Sequence, residues 1–568
     1  MLLLTGIAIF IILLLLGFGY FITRLFWRKD FSQDIFDIFW IGFCVLIAFL
    51  QIWHFFLPIN GWLFALITFL AAAGVLMRIK DGLPPLRRAH IFYAIGLILP
   101  LIVLLNHTLF SDPSYDHGLY HLQTVKWFNQ FAIVPGLGNL QHRLAFNSSQ
   151  YLYAAFINSS IFTGYAYYVA SVILAYMLLL QSLQAFGVWL RGGSLQAVVV
   201  YRVLFIPVIL WHVSTEPLAG YSADLGVFVL QAVLFAKLLQ WMNIKSDDKD
   251  RKILFSQILI LAVTGVTIKL SFGIFAAVAI VIALIYLWQQ VDRLDFFKQL
   301  IPVGLITFSV WIVPWLVRNV ILSGYLLYPN SKIRFNLPWT MPGYLANNLQ
   351  YIIGIWAKTN SDSMAYTADF PWLLKWVKSQ HVEIRFTLFF AVVLLAGLIL
   401  ISFLKRYPRL SWKEYPVLLV GISLAVLFWF FSAPAYRFSG AVIWLWILTV
   451  ILMVWKWILI NFSDTFAWRV TIITLILLFI LLPTNLSRNM SLSRSVIVPP
   501  EQVLDRQKLN GEATEVRTTN SGLQINIAPD EACWDLPLPC TSPNDFMKSL
   551  RLIDPTDMGK GFMVESSK

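Results

Sequence analysis

Of 568 residues, 59% are hydrophobic, 16% aromatic and only 12% charged, and the mean hydropathy is +0.74. So apolar a chain is no soluble domain, and the lack of recurring ten-residue alternation excludes a membrane β-barrel, leaving an all-α polytopic membrane protein. The formal charge of +13 does not point to nucleic acid, because the cations are scattered among short loops instead of being gathered on one face.

Hydropathy marks about fourteen transmembrane helices, at roughly 2–22, 37–57, 61–77, 91–110, 165–186, 197–213, 221–242, 253–269, 272–290, 300–321, 386–404, 415–432, 438–458 and 467–484. The first is expected to be a retained span: it lacks a basic leader and a small-residue cleavage site, and Arg24, Arg28 and Lys29 follow it. Alternate loops carry the cations, namely Arg24/Arg28/Lys29, Arg78/Lys80/Arg87/Arg88, Arg191, Lys245/Lys249/Arg251/Lys252, Arg293/Lys298, Lys405/Arg406/Arg409/Lys413 and Lys456/Arg469. The positive-inside rule makes that side the cytoplasm. The N-terminus, the long loops 111–164 and 322–385, and the tail are then extracytoplasmic, as expected for a bacterial cytoplasmic (inner) membrane protein. Two domains result, a transmembrane domain at 1–484 and a C-terminal extracytoplasmic domain at 485–568.

The long loops hold amphipathic pieces at 117–131, 345–358 and 370–379, expected as interfacial helices. The tail reads as a small β-rich cap of about 70 residues. Cys44 lies in an apolar run, whereas Cys533 and Cys540 frame CWDLPLPC on the oxidising side, where a small-loop disulfide is expected.

The polar chemistry begins in SDPSYDHGLYHLQTVKW, 111–127. On a helix starting near Pro113, Asp116, Tyr120, Gln123 and Trp127 share one face by spacing, and His117 and His121 share another. Asp116 is the expected general base, with Tyr120 and His121 orienting it, while Asp112 reads as a helix cap. His117 and His121 also have the spacing of two metal ligands, although interfacial histidines are more often hydrogen-bonding residues; no cofactor is certain, and a divalent metal ion is the one to consider. Further polar groups on that side are Arg143, Asn147, Glu216 and Asp224. Lys269, Arg318 and Arg437 sit at or inside the outer ends of spans, where a cation costs about 3 kcal/mol on insertion scales. Snorkelling is the bland explanation; together the three suggest a phosphate site, with Arg143 and Asp224 as further substrate-binding candidates. The sequence has no Walker A loop, GxGxxG, CxxC or HExxH, and Asp248-Lys249-Asp250 lies in a short run of mixed charge that reads as solvated.

An outward carboxylate, outward cations and no nucleotide motif suggest a reaction on a lipid-linked phosphate. At Asp116-His117-Gly118-Leu119-Tyr120 the chain resembles the GT-C integral-membrane glycosyltransferases, which carry an acidic residue in the first large outer loop. His117 stands where many of them have a second acid, and three spans precede the one leading into the loop. The resemblance implies a GT-C-like bundle and transfer of a sugar from a polyprenyl-phosphate donor to a glycan, lipid or protein acceptor, with membrane lipids around it. The blocks DHGLYHLQ, RLAFNSS and CWDLPLPC more closely resemble a bacterial multi-span family that brings no established activity. An O-antigen or polysaccharide polymerase or ligase, a lipid-linked glycan flippase and a non-enzymatic scaffold are the alternatives.

Overall fold

The structure, a computed structural model, describes residues 1–27, 34–82, 88–110, 114–192, 196–244, 248–359, 372–403, 414–484, 515–528, 532–542 and 549–564. The cap expected at Asp112 and the cations Arg28, Lys29, Arg87, Lys245, Lys405, Arg406, Arg409 and Lys413 lie outside the described residues.

Four helices come first: α1 (Leu2–Phe26), α2 (Ile35–Trp53), α3 (Gly61–Lys80) and α4 (Arg88–Phe110). The first long loop holds a π-turn (His117–His121), α5 (Leu122–Gln130), the single turn α6 (Leu137–Leu140) and α7 (Ser149–Asn158). Next come α8 (Ala166–Leu190), α9 (Ala197–Thr215), α10 (Ala223–Asn243), α11 (Asp248–Ile268) and α12 (Gly273–Gln290). A 31-residue helix is built of α13 (Arg293–Thr307), a second π-turn (Phe308–Ile312) and α14 (Val313–Ser323). The second long loop contains the hairpin β1 (Tyr325–Leu327) and β2 (Asn330–Arg334), then α15 (Gly343–Thr359) and α16 (Trp372–Ser379). The helical part closes with α17 (Val382–Phe403), α18 (Glu414–Ser432), the turn α19 (Tyr436–Ser439), α20 (Val442–Asn461) and α21 (Asp464–Leu481).

Among the described residues twelve helices are long and apolar enough to cross a membrane, and the pair α16 and α17, bent by 105°, makes thirteen if counted as one span. The expected segment 91–110 is also helical, within the 23 residues of α4. Leu, Ile and Phe runs fold this way because helix satisfies every backbone group internally where water is absent. The most enclosed candidate span is α10, whose apolar window is 94% buried, against 22% for α3 and 17% for α21. A helix apolar all round belongs in the middle of a bundle, and α10 carries site residues at one end. Near its other end, Lys237 Nζ meets Asp37 Oδ1 of α2 at 2.5 Å, and Gln257 Nε2 of α11 donates to Asp37 Oδ2 at 3.2 Å, all three side chains being buried.

The described part of the tail forms two small sheets. The strands β3 (Glu515–Thr518) and β4 (Gln524–Ile527) are antiparallel with Arg517 opposite Ile525, and β5 (Cys540–Thr541) joins β4 in parallel. The pair β6 (Leu550–Leu552) and β7 (Phe562–Val564) is antiparallel. Both sheets rest on the first long loop: Thr541 Oγ1 donates to Leu140 O at 2.8 Å, and Phe562 N–H to Pro135 O at 2.9 Å.

Candidate functional site

Helix ends bring the site together. Asp224 lies in the first turn of α10, behind the N-cap Ser222, whose Oγ accepts from Asp224 N–H at 3.2 Å. Lys269 is the extended residue that breaks α11 from the short 3-10 turn Leu270–Phe272 leading into α12. Arg437 sits in α19, between α18 and α20, where Gly440 at φ +55° turns the chain and Gln231 Oε1 of α10 accepts Ala441 N–H at 2.6 Å. Asp116 immediately precedes the π-turn of the first long loop.

These four residues form two ion pairs on one cavity of about 560 Å³. Arg437 Nη1 donates to Asp116 Oδ2 at 2.9 Å, and Lys269 Nζ donates to Asp224 Oδ1. All four side chains keep partial exposure, between 21% and 29%, so they face the cavity space instead of being sealed. Arg437 lies over the Trp356 ring at 4.5 Å and the Phe438 ring at 5.0 Å, and Lys269 lies over Phe438 at 4.2 Å. The aromatic faces hold both cations in place beside their carboxylate partners.

The rest of the cavity wall divides by chemistry. Ile352, Ile353, Trp356 and Phe428 are apolar, whereas Tyr120, His121, Arg143, Asn147 and Tyr151 are polar. Arg143 makes no ion pair among the described residues and is a third cation on the wall. Burial pushes the His121 imidazole down to about 4 against the opposing pull of Asp116, so the ring is neutral at neutral pH. Burial, reinforced by Asp116, raises the Tyr120 phenol above its ordinary range and keeps it a hydrogen-bond donor.

The first long loop meets the cavity at the π-turn. The turn's bond from Leu122 N–H to His117 O spans five residues, so angular spacing departs from the 3.6-residue rule. Asp116, Tyr120 and His121 reach the cavity. His117 instead packs against Tyr167 at 4.7 Å and Tyr221 at 5.0 Å, with both ring nitrogens buried and unpartnered among the described residues. Gln123, expected beside Asp116, donates to Trp534 O at 2.9 Å and Leu536 O at 3.0 Å, and Trp127 is buried against Phe131 and Phe562. Residues 117–131, expected as an interfacial helix, are thus largely enclosed by protein. Among the described residues no group of three or more His, Cys, Asp and Glu is arranged to hold a metal ion.

Arg318 is the expected phosphate ligand that does not line the cavity. It is fully buried, with Nε donating to Asn147 Oδ1 at 3.0 Å and Nη1 to His54 Nδ1 at 2.9 Å, and it lies over the Phe128 ring at 5.4 Å. Asn147 does line the cavity, so Arg318 supports the wall from behind. Two further acidic and aromatic positions matter. Glu216 borders a side chamber of about 30 Å³ shared with Asp224, Arg437 and His212. Burial lifts its carboxyl to about 7, Asp224 adding to the rise and Arg437 opposing it. Trp356 was legible only as part of an amphipathic segment; its partner cation is 81 positions away in the sequence, Arg437 minus Trp356. Cys533 and Cys540 are joined, with Cα atoms 6.0 Å apart.

Neither a curated protein nor a solved structure matches the chain. Residues 1–444 match the model of the family described as Domain of unknown function (DUF8201), and the chain belongs to that family.

Proposed function

We propose that the protein transfers a sugar from a polyprenyl-phosphate donor to a cell-envelope glycan, lipid or protein acceptor at the outer face of a bacterial cytoplasmic membrane. In this reading the fold is a GT-C-like bundle of about fourteen spans, with α15 and α16 at the membrane surface and the tail as an extracytoplasmic cap. The observation that carries it is the meeting of Asp116, Arg437 and Lys269 on one cavity to which α15 and α18 contribute apolar residues and the first long loop polar ones.

The lipid phosphate enters along these apolar residues and engages Lys269 and Arg437, with Arg143 as a further cation. Each of the two paired cations then shares its charge with the phosphate, and Asp116 and Asp224 are freed from their partners. Asp116 takes the proton of the acceptor hydroxyl as that oxygen bonds to the sugar C1. The bond from C1 to the phosphate oxygen breaks, and polyprenyl phosphate leaves with the electron pair, its charge held by the same cations. Neutral His121 and protonated Tyr120 orient the carboxylate and the acceptor.

Asp116→Asn keeps the shape and removes the base, so transfer from a polyprenyl-phosphate sugar by purified protein should fall about 10²- to 10⁴-fold. Unchanged transfer would contradict the assignment. A second reading, movement of a lipid-linked glycan, is favoured by one observation: α10 joins Asp224 at one end to the buried Lys237–Asp37 pair at the other. Substrate movement across proteoliposomes without a new glycosidic bond would favour it over transfer.

A further inference from the structure

The first long loop and the extreme C-terminal part of the chain meet at Gly118, the second residue of the π-turn. Trp534 N–H donates to Gly118 O at 2.8 Å. The indole lies so close that a Cβ at position 118 would stand 2.2 Å from Trp534 Cε2, which explains glycine there without any need for unusual backbone angles. The loop around Trp534 is gripped from the next helical turns. Gln123 Nε2 donates to Trp534 O and Leu536 O, and Lys126 Nζ to Asp535 O at 2.9 Å, Asp535 Oδ1 at 3.0 Å and Leu536 O at 2.9 Å. Trp534 itself holds φ +41°, a backbone region costly for a bulky side chain, and the Cys533–Cys540 disulfide closes the loop in which it does so. A π-turn is rare and is found frequently at functional sites, and here the contacts from the tail meet it directly.

We propose that the disulfide-closed loop 533–540 is a positioning element of the candidate site. Trp534 clamps the π-turn, and the clamped turn sets Asp116, Tyr120 and His121 on the cavity while holding His117 away from it. This rests on the transfer reading only in calling those three residues functional; the clamp itself is a structural statement. It makes the site a joint product of segments 411 residues apart, as the Gln123 to Trp534 bond shows, and ties it to a disulfide that an oxidising compartment supplies.

The test is hydrogen–deuterium exchange on the purified full-length chain, together with sugar transfer from a short-chain polyprenyl-phosphate donor. Trp534→Ala should speed exchange of amides 117–126 at least tenfold and leave α10 and α11 within twofold. Trp534→Phe, which keeps a ring against Gly118, should stay within threefold of the unaltered chain. Gly118→Ala should reproduce the Trp534→Ala effect, and combining the two should add nothing, because both act on one contact. Cys533→Ser with Cys540→Ser should give the same local pattern. Unchanged exchange at 117–126 in Trp534→Ala, or equal acceleration throughout the chain, would overturn the clamp. If the turn loosens as expected while sugar transfer from a polyprenyl-phosphate donor is as fast as before, the clamp stands and the proposed use of the site falls.

Discussion

Glu216 and His121 are displaced from ordinary titration in opposite senses for one reason, removal from water. Burial raises Glu216 to about 7 and lowers His121 to about 4, so both are uncharged over part of the mildly acidic range. A carboxyl raised above its ordinary 4.5 binds a proton more tightly when folded, so its stabilising contribution is complete below 4.5 and is lost as pH rises through about 7. Glu216→Gln should therefore remove a stability decline between those values: thermal unfolding in detergent should show the variant gaining on the unaltered chain from pH 5 to pH 8. Parallel profiles would contradict this. Of the charged residues singled out from sequence, Asp116, Arg143, Asp224, Lys269 and Arg437 do share one cavity. Arg318 does not, because a cation near a span end reads the same whether it faces a cavity or supports a wall, and only the packing of His54, Phe128 and Asn147 around it separates the two.

Among the elements, hydropathy reveals the helices well because their length is dictated by the bilayer and their continuity by the cost of an unpaired backbone. The π-turn is not legible that way. Counting residues at 3.6 per turn places His117 and His121 on one face, and their rings do lie 6.2 Å apart, but His117 packs against Tyr167 and Tyr221 while His121 lines the cavity. The pairing of α10 with α2 is likewise hidden, since Lys237 and Asp37 are 200 residues apart. That buried pair fixes the register of the most enclosed helix. Lys237→Met strands a buried carboxylate and should cost about 3 to 5 kcal/mol, while Asp37→Asn with Lys237→Met should cost less than Lys237→Met alone. Additive losses in thermal unfolding would show that the two side chains do not act as a pair.

At the scale of the molecule, helix ends from distant parts of the chain converge on one face of the bundle, and the tail covers the loop that supplies Asp116. The apolar surroundings made the polar residues of that face conspicuous in the sequence. What sequence spacing does not carry is the pairing itself, Asp116 with Arg437 and Asp224 with Lys269, because contacts across hundreds of residues leave no local periodic trace. The central claim is that this cavity is built for a lipid phosphate, and equilibrium binding of a polyprenyl phosphate to the full chain in nanodiscs tests it most directly. Arg437→Gln and Lys269→Met should each weaken binding at least tenfold, and Arg437→Lys, which keeps the charge but loses the bidentate fork, should fall between. Equal affinity in all of these proteins would contradict the claim.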